Sequence, residues 1–165
     1  MTENNAVTTA THDSATGELV ITRQFGASRE RVFRAFTDPD QLARWFGPVG
    51  FTVPRETVDL DPRPGGHQHF VMVKEDDPDL ISPVNARFLE VVENELLIGT
   101  EEFIGIPGVQ EATTMTLRIQ FEDGGDGGTR LVIQQGPYAP ALEPMAQAGW
   151  DGSFTKLDAF LAEAG

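Results

Sequence analysis

The sequence predicts an α+β fold: a curved, seven-stranded antiparallel sheet around one long C-terminal helix, with two short helices after strand 1. Three observations lead there. Strand-like segments follow one another with tight turns between them, and strands joined this way run antiparallel. The last segment carries apolar side chains at helical spacing. Two short capped helical stretches separate the first strand from the others. A strongly twisted sheet of this size curls, and the long helix is what it can curl around.

Residues 1–17 are polar, Thr-rich and nearly free of large apolar groups, so they are expected to form a disordered tail. Residues 18–165 have the length of a single domain. The β-branched ELVITRQF (18–25) is the first strand, broken by Gly26-Ala27. Ser28 caps a helix with Glu30 in its first turn, where the dipole favours an acid; Val32, Phe33 and Phe36 follow at helical spacing. Asp38-Pro39 opens a second helix with Leu42, Trp45 and Phe46 on its apolar face, and Gly47-Pro48 ends it. FTVPRETVDL (51–60) reads as one strand, and Pro62 with Pro64-Gly65-Gly66 as the turn into HQHFVMVK (67–74). The acidic EDDPD (75–79) reads as a loop. VNARFLEVV (84–92) and ELLIGTEEF (95–103) form a pair through a turn at Glu93-Asn94. ATTMTLRIQFE (112–122) alternates apolar and polar residues, and the turn DGGDGG (123–128) leads it into TRLVIQQ (129–135). From about Ala141 to Ala164, Leu142, Met145, Trp150, Phe154, Leu157, Phe160 and Leu161 recur at helical spacing, with small Gly149 and Ser153 on the apolar side.

The chain has 165 residues and a formal net charge of −14, which argues against nucleic acid as a partner. The charge is uneven: residues 1–74 hold 9 acids and 8 bases, residues 75–165 hold 17 acids and 4 bases. Most of the later acids fall in turns or at outward strand positions, as expected of a solvated sheet. With no cysteine there is no disulfide framework and no thiolate chemistry. No secretory signal and no apolar run of membrane-spanning length is legible, so the expected location is cytoplasmic, without membrane insertion.

The segment F-x-A-S-x-E-x-V-F-x-A-F-T-D-P-x-x-L-x-x-W-F-G-P (25–48) resembles the opening signature of the activator of Hsp90 ATPase homologue-like family. That family belongs to the SRPBCC superfamily, with the START lipid-transfer domains and the birch-pollen-allergen (Bet v 1-like) fold. D-x-R-P-G-G (61–66), F-L-E-V (88–91), T-R-L (129–131) and G-W-x-x-S-F-x-K-L (149–157) resemble its later landmarks in the same order. The resemblance implies a helix-grip architecture over about residues 18–163, with a cavity between sheet and helix. It also implies an apolar or amphipathic small molecule, lipid- or polyketide-like, as the occupant of that cavity. Where members often carry a basic or aromatic pair after the double glycine, this chain has His67-Gln68-His69. The family shares no one catalytic motif, so no catalytic residue is carried over.

Strand parity puts Gln68, Phe70 and Met72 on one face, expected to line the cavity, with Met115, Leu117, Ile133 and Gln135 toward the same interior. Trp45, Phe46, Phe103, Met145, Trp150 and Phe154 are the expected aromatic and soft walls. The competing expectation is a core filled by the same side chains. His67 and His69, an i, i+2 pair, fall on the opposite, outer face; a carboxylate from EDDPD would be needed to make them a metal site, and solvated surface residues are the expectation. EDDPD lacks the glycine and the terminal glutamate of a calcium loop, and DGGDGG lacks the Lys-Ser/Thr of a phosphate cradle. Arg23, Arg29, Arg31, Arg34, Arg44, Arg55 and Arg63 cluster in sequence; Arg31 and Arg34, three apart on one helix, could hold an anionic group at the cavity mouth, but pairing with nearby carboxylates is the expectation. No cofactor or metal is expected. Three functions compete: a ligand-binding module without chemistry, an enzyme (cyclase, dehydratase or hydrolase) acting in the cavity through a buried titratable group, and a co-chaperone-like interaction module. Non-enzymatic binding is the leading expectation. Homodimerisation fits a small domain, and no surface stripe in the sequence establishes it.

Overall fold

The computed structural model describes residues 9–13, 17–103, 113–137 and 143–164. Among the described residues, nine strands form one antiparallel sheet: β1 (Thr9–Asp13), β2 (Glu18–Phe25), β3 (Phe51–Thr52), β4 (Asp59–Leu60), β5 (His67–Lys74), β6 (Asp77–Val92), β7 (Leu96–Phe103), β8 (Thr113–Gly125) and β9 (Gly128–Gly136). The helices are α1 (Arg29–Thr37), α2 (Pro39–Trp45) and α3 (Glu143–Ala164). The strands lie in the order β1-β2-β9-β8-β7-β6-β5-β3, with β4 also on β5. This is the helix-grip arrangement.

The helix starts lie where the sequence puts them. Ser28 caps α1, its hydroxyl accepting from the Arg31 amide, and Asp38 caps α2 with Pro39 in the first turn. Two strands more than predicted arise from local chemistry. Residues 9–13, expected in the tail, pair with β2 in register from Thr9↔Thr22 to Asp13↔Glu18. The run 51–60 is not one strand: after Pro54, which offers no amide hydrogen to a ladder, Arg55–Thr57 form a 3-10 turn that separates β3 from β4. The acidic 75–79 segment is mostly strand, since β6 begins at Asp77 and pairs Asp77 with Lys74. The Gly-rich turn is also tighter than expected. Only Asp126 and Gly127 remain between Gly125 and Gly128, both at positive φ, as a two-residue hairpin with the sheet's twist requires.

The core lies between the concave face of the sheet and the helices. Leu19, Ile21 and Phe25 of β2, Ile119 and Phe121 of β8, and Leu131 and Ile133 of β9 are buried from the sheet side. Trp45, Trp150, Phe154 and Leu157 are buried from the helix side. The rings meet edge to face: Phe25 with Phe154 at 5.5 Å between centroids, Phe36 with Trp45 at 4.8 Å. Polar ties fix α3 over the sheet. Arg23, buried on β2, pairs with Asp158. The Arg31 guanidinium donates to the Leu161 carbonyl at 2.6 Å. Lys156 donates to the carbonyls of Phe46 and Phe51, at 3.2 and 2.8 Å, anchoring the loop after α2. Gly149 and Gly152 let the helix approach that loop: a Cβ on Gly152 would stand 3.0 Å from the Val49 amide nitrogen. Arg23, Arg44, Arg55 and Arg63 all face carboxylates, Asp158, Glu163, Asp40 and Asp61 respectively.

Candidate functional site: a cavity between the sheet and the helices

A cavity opens between β5–β8 on one side and α1, α2 and α3 on the other. Its floor is built by cross-strand register. One inward row runs Gln68 (β5), Ala86 (β6), Glu101 (β7) and Met115 (β8), each paired with the next. The adjacent row runs Phe88, Gly99, Leu117 and Gln135. Phe36, Leu42, Phe46 and Trp150 close the space from the helix side.

Two small residues hold this space open. Ala86 puts only a methyl group between Gln68 and Glu101. Gly99 sits opposite Phe88, where the register of β6 shifts at Leu89; a Cβ there would come within 2.6 Å of the Arg87 carbonyl oxygen. The shift turns both Leu89 and Glu90 outward and leaves Phe88 buried. The turn before β5 is locked to the same place, because the Gly65 amide donates to the Phe88 carbonyl and the Phe88 amide to the Gly66 carbonyl. A side chain on Gly66 would collide with the Asp61 carbonyl. The double glycine of D-x-R-P-G-G is therefore a backbone requirement at the cavity's edge.

The cavity volume is about 50 Å³. A buried water needs about 10–15 Å³ on the same measure, so the space takes a few water-sized groups. Its walls are apolar except at Gln68 and Glu101; Arg87 and Thr100, one residue out of step on β6 and β7, border it and stand on the outer-face row with His67. Glu101 is the notable one. Burial among these walls raises its carboxyl from the ordinary 4.5 to about 7. Deeper in, the Trp150 indole donates to the Gln135 side-chain oxygen at 2.8 Å, both residues being buried, which locks Trp150 into the wall.

The predicted wall residues separate into groups. Phe46, Gln68, Leu117 and Trp150 line the cavity. Trp45, Phe70, Met115, Ile133, Gln135 and Phe154 are buried around it and are not among the lining residues; Trp45, for one, is held by its indole donating to the Ala35 carbonyl at 2.8 Å. Met72 is partly buried against the core. Met145 is 60% exposed and is no wall: the first turn of α3 points it to solvent. The Phe103 side chain lies outside the described residues. Glu101 was not foreseen, although parity shows it: counting by twos from buried Leu97 through Gly99 reaches Glu101 on the inner face. His67 and His69 lie on the other face of β5 from Gln68, as expected, and the carboxylate beside them comes from Asp59, not from residues 75–79.

A sequence model of the family described as "Activator of Hsp90 ATPase homolog 1-like protein" matches residues 26–162. The chain belongs to this family. Solved structures agree with the family's helix-grip fold. A Chromobacterium violaceum protein is 28% identical, with a TM-score of 0.75 over 87% of this chain and 95% of its own. A Mycobacterium smegmatis protein is 26% identical, with a TM-score of 0.76 over 94% of this chain and 97% of its own. An AHSA1 protein of Silicibacter pomeroyi, 23% identical, shares the fold with a TM-score of 0.77 over 90% of this chain and 99% of its own. No curated protein matches the chain. The family fold is that of a ligand-binding or co-chaperone-like domain. Among the described residues, no helix is long and apolar enough to cross a membrane.

Proposed function

We propose that this family member binds a compact, mainly apolar molecule with hydrogen-bonding ends in the cavity between sheet and helices. The observation that carries this reading is the inward row Gln68–Ala86–Glu101: two polar side chains set two strands apart on an otherwise apolar floor. Strands spaced by about 4.8 Å put their backbones roughly 10 Å apart, the length of a small bicyclic or short-chain amphipathic molecule. Apolar walls with a few placed polar groups are the general make-up of small-molecule sites. The volume sharpens the lipid- or polyketide-like class expected from the resemblance. With room for only a few water-sized groups, the cavity admits a ring only if lining side chains such as Phe46 and Trp150 move, and a long acyl chain only if they move further.

The test is a thermal-shift screen with short-chain acids, aromatic alcohols and small polycyclic phenols, run on the natural chain and on Ala86→Phe. A ligand at about 100 times its Kd stabilises by about 2.7 kcal/mol. For a chain of this size that is a rise in Tm of about 5–10 °C. A hit should shift the natural chain and leave Ala86→Phe unmoved. Equal shifts in both, or none with any compound, would remove the reading.

A second reading is favoured by one observation. A carboxyl titrating at about 7 in an apolar cavity is poised to take or give a proton near neutral pH, so Glu101 would serve as the acid or base of an enzyme of this fold. Turnover of a bound hit that is lost in Glu101→Gln while binding is retained would separate catalysis from binding.

A further inference from the structure

We propose that Asp59, His67 and His69 form a binding site for a divalent first-row transition metal, Zn²⁺ in the first instance, on the outer face of the sheet. The site is built by register. The turn 61–66 folds β4 back on β5, so Asp59 stands directly across from His69, and His67 lies two residues along the same face of β5. One ligand atom from each of the three side chains falls within 4.8 Å of the other two. Three donors bound to one ion at 2.0–2.2 Å lie about 3–4 Å apart, so small rotamer changes close the set.

Two further details point to an ion. The imidazoles are stacked, centroids 4.9 Å apart and 27° from parallel, so both rings stand side by side on one face, and a rotation of one ring turns its in-plane lone pair toward the other. His67 Nε2 stands 2.8 Å from Asp59 Oδ1, yet it is shut off from solvent and has no aligned hydrogen-bond partner. A ring nitrogen and a carboxylate oxygen, both of them metal donors, thus already meet at one point beside His69. Two imidazoles and one carboxylate suit Zn²⁺, Ni²⁺, Co²⁺ or Fe²⁺, and disfavour Ca²⁺ and Mg²⁺, which take oxygen donors. Asn85, paired with His69 across β6, is placed to offer an amide oxygen. Arg87, paired with His67, puts a positive charge on the same face and sets the affinity below that of a four-ligand structural site. Bound metal would clamp β4, only two residues long, to the strand that carries Gln68 into the cavity.

The experiment is calorimetric titration of the untagged chain with ZnCl₂ alone, with NMR of the histidine ring nitrogens as a second readout. One equivalent should bind, shifting the His67 and His69 ring resonances and not those of His12, which sits on β1 at the opposite edge of the sheet. Losing a second-shell partner costs metal sites about 10–100-fold in affinity, so loss of a ligand in Asp59→Asn or His69→Ala should cost at least that. His12→Ala should bind like the natural chain. Asp59→Asn keeps the side-chain shape, and circular dichroism verifies its fold, so lost binding is not mistaken for unfolding. No binding at millimolar Zn²⁺, or binding equally strong in Asp59→Asn and His69→Ala, would overturn the site.

Discussion

Replacing Glu101 by glutamine should flatten the pH dependence of stability between pH 5 and 8. The folded protein holds this carboxyl at about 7 because burial disfavours its charge; in the unfolded chain it titrates near its ordinary 4.5. A carboxyl with a raised folded value contributes fully below the unfolded value, where both states are protonated. That contribution is lost as pH rises through the folded value, because the native state must then either carry a buried charge or give up the proton late. The separation of the two values is about 2.5 units, and at 1.36 kcal/mol per unit the natural chain should lose about 3 kcal/mol from this one group between pH 4.5 and 8. Most of that loss falls between pH 5 and 7. A glutamine side chain cannot ionise, so the variant should not show this loss. Urea unfolding at half-unit pH steps gives both curves, and the difference between them isolates Glu101, because every other titrating group is common to both. The variant should gain about 3 kcal/mol relative to the natural chain on going from pH 4.5 to pH 8. Parallel curves, differing by less than about 0.5 kcal/mol in their change over that range, would refute the assignment of a buried carboxyl to the cavity floor.

Other outcomes follow from the same geometry. Gln135→Leu leaves the buried Trp150 indole without its acceptor and should cost about 1–3 kcal/mol, with a blue or red displacement of tryptophan emission; adding Trp150→Phe should recover part of that cost, and an additive double variant would argue against the bond. Gly66→Ala forces a methyl group into the Asp61 carbonyl and should cost more than about 2 kcal/mol in chemical unfolding, while Gly65→Ala, with open space around it, should show only the strain of its positive φ. Gly152→Val should part α3 from the Pro48–Val49 loop and lower Tm by several degrees, about 2–4 °C for each kcal/mol lost.

Much of the fold was legible because its signals are local. Caps at Ser28 and Asp38, alternation in 113–121 and helical spacing through α3 each report on their own segment, and they place the elements correctly. Pro54 was equally visible, but the run around it kept its β-branched character, and only the missing amide hydrogen shows why it breaks. The β1 strand was hidden for the opposite reason. Residues 9–13 have little apolar surface of their own and owe their order to the ladder with β2.

What the sequence determined by itself is the order of most elements, the inward face of the strands carrying Gln68, Met115 and Ile133, and, through its family motifs, the helix-grip class. Alternation and helical period are properties of short stretches, so they survive without knowledge of the partner. Only the tertiary structure decided the sites. Gln68 and Glu101 face one cavity because β5, β6 and β7 pair in a register that puts Ala86 between them, and Gly99 opposite Phe88 keeps that space clear. Asp59 meets His67 and His69 because the turn 61–66 returns β4 to β5. Register is a relation between segments, and a slip of one residue would turn every one of these side chains to the other face.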